Sequence, residues 1–276
     1  MKIGMIDYYL DEWHANNYPK MIRELSDGKA EIGLAWAKKD SADGLSNAAW
    51  SQTYGVSITD SLETLIDQSD CLLLLSPDNP EMHEELAELP LKSGKRTFID
   101  KTFAPSKAAA ERIFEMADKG RTPMYSCSAL RFSKEFEGLD LSGIDLVAGR
   151  GPGAFSNYLI HQVEPIVSLM GADVRRVLYT GTPQTPGLLM DYADGRRASL
   201  NLFGWDCPFS FAIGYNQDKT VVVNECTEYF ERFLKNMIYF FQTGDGAIPA
   251  EETISIMAVL EHAYEAQRSP ENWITV

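Results

Sequence analysis

Residues 71–76 read CLLLLS, apolar at five successive positions. Such a run suits a strand covered on both faces, which is how the strands of a parallel sheet read. Working outward, short apolar runs at Lys2–Ile6, Glu31–Ala37, Cys71–Ser76 and Arg96–Ile99 alternate with helical patterns at Pro19–Leu25, Ser61–Asp67, Pro80–Lys92 and Ser106–Lys119. The alternation predicts an N-terminal domain over residues 1–122 with a doubly wound α/β fold on a parallel sheet.

From Pro123 the pattern changes. LVAG, VRRVLYTG, GLLMDYADGRRASLNLFGW and FSFAIGYNQDKTVVV read as strands joined by tight turns, with Asp194-Gly195 and Asn216-Gln217-Asp218 as turn signals. Their alternation fits an antiparallel sheet with one wet face. Amphipathic helices at Glu225–Gln242 and Glu251–Arg268, separated by GDGAIP, close the chain. Residues 123–276 are therefore expected to form an α+β domain, a mostly antiparallel open sheet with helices.

The chain has 276 residues, 45% hydrophobic and 24% charged, and a formal charge of −15. That is a globular composition, and no segment approaches the roughly 18 uninterrupted apolar residues of a membrane span. Nucleic acid and anionic membranes need a basic footprint, so neither is expected as a partner. Cys71, Cys127, Cys207 and Cys226 match no zinc spacing, so no metal site is expected. Reduced cysteines and a first strand that begins at once, without a secretory signal, lead us to expect a cytoplasmic protein. His14 and His262 lie in helical patterns and receive no role.

Five stretches, in order, carry a more specific likeness: YGVSITDSLETLIDQSDCLLLLSPDNPEMHEEL, GKRTFIDKTFAPS, NYLIHQVEPIVSLMG, YADGRRASL and FLKNMIYFFQTGDGAIPAEETISIMAVLEHAYEAQRS. Together they resemble the Gfo/Idh/MocA family of two-domain oxidoreductases, which includes glucose-fructose oxidoreductase and inositol dehydrogenase. The resemblance implies a Rossmann-type first domain holding a nicotinamide cofactor, NAD or NADP, a carbohydrate or polyol-like substrate on the second, and pairing into a homo-oligomer through the open sheet face. It places Ser76, His83, Asp100 and Lys101 beside the cofactor. Lys101 would sit at the carboxyl end of a parallel strand, where open sheets bind ligands. A dehydrogenase must take a hydroxyl proton and stabilise the developing charge. His161 suits the first task and the Lys101 ammonium the second.

Several positions depart from that pattern. Counted from Asp7, the slots of G-x-G-x-x-G hold Asp7, Tyr9 and Glu12, none of them glycine. Asp7 would face the phosphates, and Asp11 and Glu12 would occupy the positive end of the first helix. Two like charges about 4 Å apart at an effective dielectric of 20 repel by roughly 4 kcal/mol. Lys38 and Lys39, at the end of the second strand, read as a solvated strand end first and as contacts for a 2'-phosphate second. Asn157 stands where the family's D-x-x-x-H has aspartate, and Glu164, three residues beyond His161, is the candidate replacement. Thr102 replaces proline after Lys101. Tyr158, Phe203, Trp205 and Tyr215 read as packing or as sugar-stacking rings. The leading expectation is an NAD(P)-dependent oxidoreductase with a degenerate dinucleotide loop. The alternative is a non-redox small-molecule-binding or regulatory descendant, and the third is a nicotinamide-dependent lyase or glycoside-cleaving enzyme.

Overall fold

KIGMID forms the first strand, β1 (Lys2–Asp7), buried from Ile3 onward. Glycine is needed within it, because a Cβ on Gly4 would lie 2.4 Å from Ser69 Oγ and 2.6 Å from Leu65. The computed structural model describes every residue but Gln217, the middle of one expected turn, which lies outside the described residues. After β1 come α1 (Trp13–Leu25), β2 (Glu31–Ala37), α2 (Asn47–Tyr54), α3 (Leu62–Gln68), β3 (Cys71–Leu74), α4 (His83–Ala87), β4 (Thr97–Ile99), α5 (Lys107–Gly120) and β5 (Met124–Tyr125). The five strands are parallel, in the order β2-β1-β3-β4-β5. The expected doubly wound sheet is present. Because β2 lies on one side of β1 and β3 on the other, the carboxyl ends of β1 and β3 flank the switch point where such sheets bind ligands.

Two helices differ from the sequence reading. Pro19 lies inside α1 rather than at its start; it removes the N–H that would bond the Ala15 carbonyl, and the helix tolerates the loss. The expected Pro80–Lys92 helix is three pieces, in which α4 is flanked by single 3-10 turns at Pro80–Met82 and Pro90–Lys92. Each proline opens its own turn.

The first compact unit comprises Met1–Cys127 and Phe233–Ala250. A late segment thus returns to the first sheet. The reason is aromatic: Phe233 lies 5.4 Å from Phe98, Phe240 lies 4.8 Å from Tyr125, and the Tyr125 hydroxyl hydrogen-bonds Asn236.

The second unit comprises Ser128–Arg232 and Glu251–Val276. The rest of the chain supplies β6 (Ile144–Pro152), α6 (Phe155–Met170), β7 (Val174–Gly181), β8 (Pro186–Tyr192), β9 (Arg197–Phe203), β10 (Ser210–Tyr215), β11 (Lys219–Val223), α7 (Tyr229–Thr243), α8 (Ala250–Arg268) and β12 (Ile274–Thr275). The sheet order is β11-β10-β6-β9-β8-β7-β12, antiparallel except for the β6–β9 pair. α6 buries Val163, Ile166 and Val167 on its core side. Among the described residues, no helix is long and apolar enough to cross a membrane, and no group of three or more His, Cys, Asp or Glu could hold a metal ion.

Candidate functional site

In the first unit, the carboxyl ends of β1 and β4 and the start of α1 bring together Asp7, Glu12, His14, Asp100 and Lys101. Glu12 is the N-cap of α1, in extended conformation, and its carboxylate accepts from the backbone N–H groups of both His14 and Ala15. Glutamate is not among the preferred caps. Here it does what a bound anion does at a helix N-terminus, satisfying orphan donors with negative charge.

The same carboxylate holds a side chain. His14 Nδ1 lies 3.1 Å from Glu12 Oε2 and 3.7 Å from Asp100 Oδ2. Burial works to lower the His14 pKa, but the charges of Asp100 and Glu12 outweigh it and hold the imidazolium above its ordinary 6.5, with Lys101 opposing. Asp7 is 1% exposed; its Oδ1 accepts from the Tyr8 N–H at 2.6 Å, and its Oδ2 has no hydrogen-bond partner among the described residues. Burial, then the neighbouring Glu12 carboxylate, hold Asp7 well above the usual carboxylate range. Asp100 Oδ2 is likewise buried and unpartnered. The sequence reading gave His14 no role. The signal was Glu-x-His at the first turn after β1, hidden by the helical pattern around it.

Several neighbouring side chains have partners within the unit. The Tyr9 hydroxyl donates to Asp78 Oδ2 at 3.3 Å, from the β1 side of the switch point to the loop after β3; burial and the Asp78 charge push its pKa up to about 12. Lys38 pairs with Glu85, and Lys39 lies 4.3 Å from the centre of the Tyr8 ring, so neither is a bare strand-end cation. Asp11 accepts from Leu45 N and Asn16, and Asn16 accepts from the Trp50 indole, pinning the loop after β2 to the first turn. Ser76 has φ of 71° and donates to Asn79 O. His83 is fully buried, with Nδ1 2.9 Å from Phe103 O and Nε2 2.6 Å from Leu75 O. Burial lowers its pKa, against the pull of the two carbonyls. Lys101 is half-buried directly after Asp100 and precedes a cis peptide bond to Thr102.

In the second unit, Asn157 and His161 lie one turn apart on α6, Asn157 exposed and His161 partly so. His161 Nδ1 is 2.8 Å from Ser128 Oγ. Its ring stands edge-on to Tyr158 at 4.8 Å and 6.0 Å from Phe209, and Trp205, 67% exposed, stands edge-on to Tyr158. Glu164 engages Arg131 and Ser128. Its carboxylate takes Arg131 at 2.7 Å and the Ser128 backbone N–H, while Arg131 also reaches Glu252 and Ser168. Burial raises the Glu164 pKa although Arg131 opposes it. Glu164 therefore bears on His161 at one remove, by fixing the residue whose hydroxyl meets the ring.

The dinucleotide implied by the resemblance does not fit here in its usual pose. Its pyrophosphate belongs at the N-terminus of α1, where Glu12 already bonds the free N–H groups, and buried Asp7 stands beside that place.

No family model and no curated relative matches the chain. Solved structures do. A Thermotoga maritima protein described as a probable dehydrogenase superposes with a TM-score of 0.80 at 15% identity, covering 100% of this chain and 98% of that one. The WlbA dehydrogenase of Bordetella pertussis, solved with NADH and UDP-GlcNAcA, gives 0.75 at 16%, covering 100% and 98%. The scyllo-inositol dehydrogenase of Lactobacillus casei, in its apo form, gives 0.74 at 14%, covering 99% and 97%. Over its whole length this chain has the two-domain fold of those dehydrogenases.

Proposed function

We propose that the chain is a nicotinamide-dependent oxidoreductase acting on a carbohydrate or polyol-like molecule, with Lys101 and His161 as its working groups. The observation that carries this reading is the fold likeness over the full chain to solved dehydrogenases, one of them holding NADH and UDP-GlcNAcA and another a scyllo-inositol dehydrogenase. In this reading Lys101, next to the end of β4 in the first unit, is the hydrogen-bond donor such a reaction needs, and His161 in the second unit, its Nδ1 at Ser128 Oγ, is the acid–base group. NAD or NADP in this reading keeps its phosphates away from the first turn of α1. A homo-oligomer in the cytoplasm completes it, and size-exclusion chromatography with light scattering checks the assembly.

One observation favours a second reading, a non-redox descendant that binds a small molecule: the Glu12 carboxylate on the helix end. Calorimetric titration with NAD⁺, NADH, NADP⁺ and NADPH separates the two. Micromolar binding of one form, with turnover abolished by Lys101→Ala and by His161→Ala in folded protein, supports the oxidoreductase. No binding up to millimolar concentration supports the second. A nicotinamide absorbance surviving purification would point to the tightly held cofactor of a lyase or glycoside-cleaving enzyme.

A further inference from the structure

The groups at the carboxyl ends of β1 and β4 do more than block a phosphate seat. An imidazole whose Nδ1 is held by a carboxylate, leaving Nε2 for chemistry, is the arrangement of an acid–base histidine. His14 has it: Glu12 Oε2 accepts from the His14 backbone N–H at 2.7 Å and lies 3.1 Å from Nδ1, while Asp100 Oδ2 stands 3.7 Å from the same nitrogen. The ring is fixed further by edge contacts with Trp13 at 5.3 Å and Tyr18 at 5.2 Å. Nε2 has no hydrogen-bond partner among the described residues, and the side chain keeps 13% of its surface exposed.

A second, independent observation points to a ligand. Asp7 Oδ2, in a residue 1% exposed, has no hydrogen-bond partner among the described residues, and Asp100 Oδ2, equally buried, faces only His14 Nδ1 at 3.7 Å, beyond hydrogen-bond reach. Leaving such a group unsatisfied costs about 1–3 kcal/mol, so it is retained where something else supplies the donor. The charges select what that is. Glu12 and Asp100 stand beside one imidazole, with the Lys101 charge opposing them there, and the Tyr18 phenol is raised by burial and by Asp100 and Glu12. This balance repels phosphate and accepts hydroxyl hydrogens.

We propose that Glu12, His14 and Asp100 form an acid–base centre that takes a small, neutral, hydroxyl-bearing ligand without phosphate, His14 Nε2 exchanging a proton with a ligand oxygen. Glu12 and Asp100 are positioning residues. The proton moves between Nε2 and that oxygen; no other bond forms or breaks, and no dinucleotide takes part. The centre goes beyond the oxidoreductase reading, since it does not depend on whether a dinucleotide binds elsewhere.

Two measurements on the full chain test it. NMR titration of the His14 imidazole is expected to show a midpoint above that of a free histidine, falling in Glu12→Gln; a midpoint indifferent to Glu12→Gln overturns the pairing. Calorimetry with myo-inositol and with D-glucose as probes, in buffers of different ionisation heat near neutral pH, reads the protons exchanged on binding. Binding of a probe with proton exchange, both lost or weakened about tenfold or more in His14→Gln, supports the centre. No binding of either probe, or proton exchange that survives His14→Gln, overturns it. Loss of dinucleotide binding alone counts only against the oxidoreductase reading.

Discussion

Two histidines, one in each unit, are held through Nδ1 in different ways. His14 is held by the Glu12 carboxylate with Asp100 close by, His161 by the Ser128 hydroxyl. A carboxylate stabilises the protonated ring by charge, and such bonds are roughly twice as strong as neutral ones. A hydroxyl orients the ring without that charge. The carboxylate that the α6 segment does carry, Glu164, is spent on Arg131 and on the Ser128 N–H. The comparison places an acid-supported histidine, His14, on the first helix, at a position that the spacing of the family's motif does not reach.

The largest effect expected breaks the second arrangement. Arg131→Met leaves the Glu164 carboxylate buried beside the backbone of Ser128, and unpairing a buried ion costs roughly 3–5 kcal/mol. Chemical unfolding at neutral pH should show a loss of that size. The deficit should shrink in acid, where the orphaned carboxyl keeps its proton. A deficit below about 1 kcal/mol at neutral pH would place Arg131 and Glu164 among surface-like pairs and remove the link to His161.

A somewhat smaller effect tests the first arrangement. Replacing Asp7, Tyr9 and Glu12 together with glycine empties the helix end and removes two carboxyl groups, relieving roughly 4 kcal/mol of repulsion at the upper limit. Dinucleotide affinity by calorimetry should then rise, by up to about a thousandfold. Unchanged affinity in the folded triple variant would mean that the phosphates never approach this turn.

The parallel sheet was legible in CLLLLS and in the spacing of its neighbouring apolar runs, because burial on both faces leaves an unbroken apolar signature. The missing glycines were legible too. What the sequence hid was the use made of their places. Glu12 is an uncommon cap, and nothing in a residue string says that a glutamate will fold back on two N–H groups and an imidazole. The return of Phe233–Ala250 to the first unit was equally hidden, since an amphipathic pattern tells that a helix packs and not which sheet it packs on. Ser128, which meets His161, lies outside every quoted stretch and reaches it only through the fold.

The smallest effect is the most specific to the first loop. Asp7 is buried, with Oδ2 unpartnered, and its folded pKa lies well above 3.8 because of burial first and Glu12 second. A raised pKa means that the folded chain binds more protons than the unfolded one as pH climbs past 3.8, so Asp7 lowers stability with rising pH until its folded pKa is passed. His14, also raised, acts in the same direction: its contribution is complete below 6.5 and is lost as pH rises through its folded pKa. Asp7→Asn keeps an acceptor for the Tyr8 N–H and cannot ionise, so it removes the Asp7 part of this slope and leaves the His14 part. The variant should be more stable than the parent at neutral pH by on the order of 1–2 kcal/mol, and the two should converge in acid, where Asp7 is protonated anyway. Urea unfolding across that range decides it. A constant gap at all pH values would reflect packing of the amide, and a parent more stable at neutral pH would mean that Asp7 meets a cation there, turning the first loop from a site that refuses negative charge into one that is already neutralised.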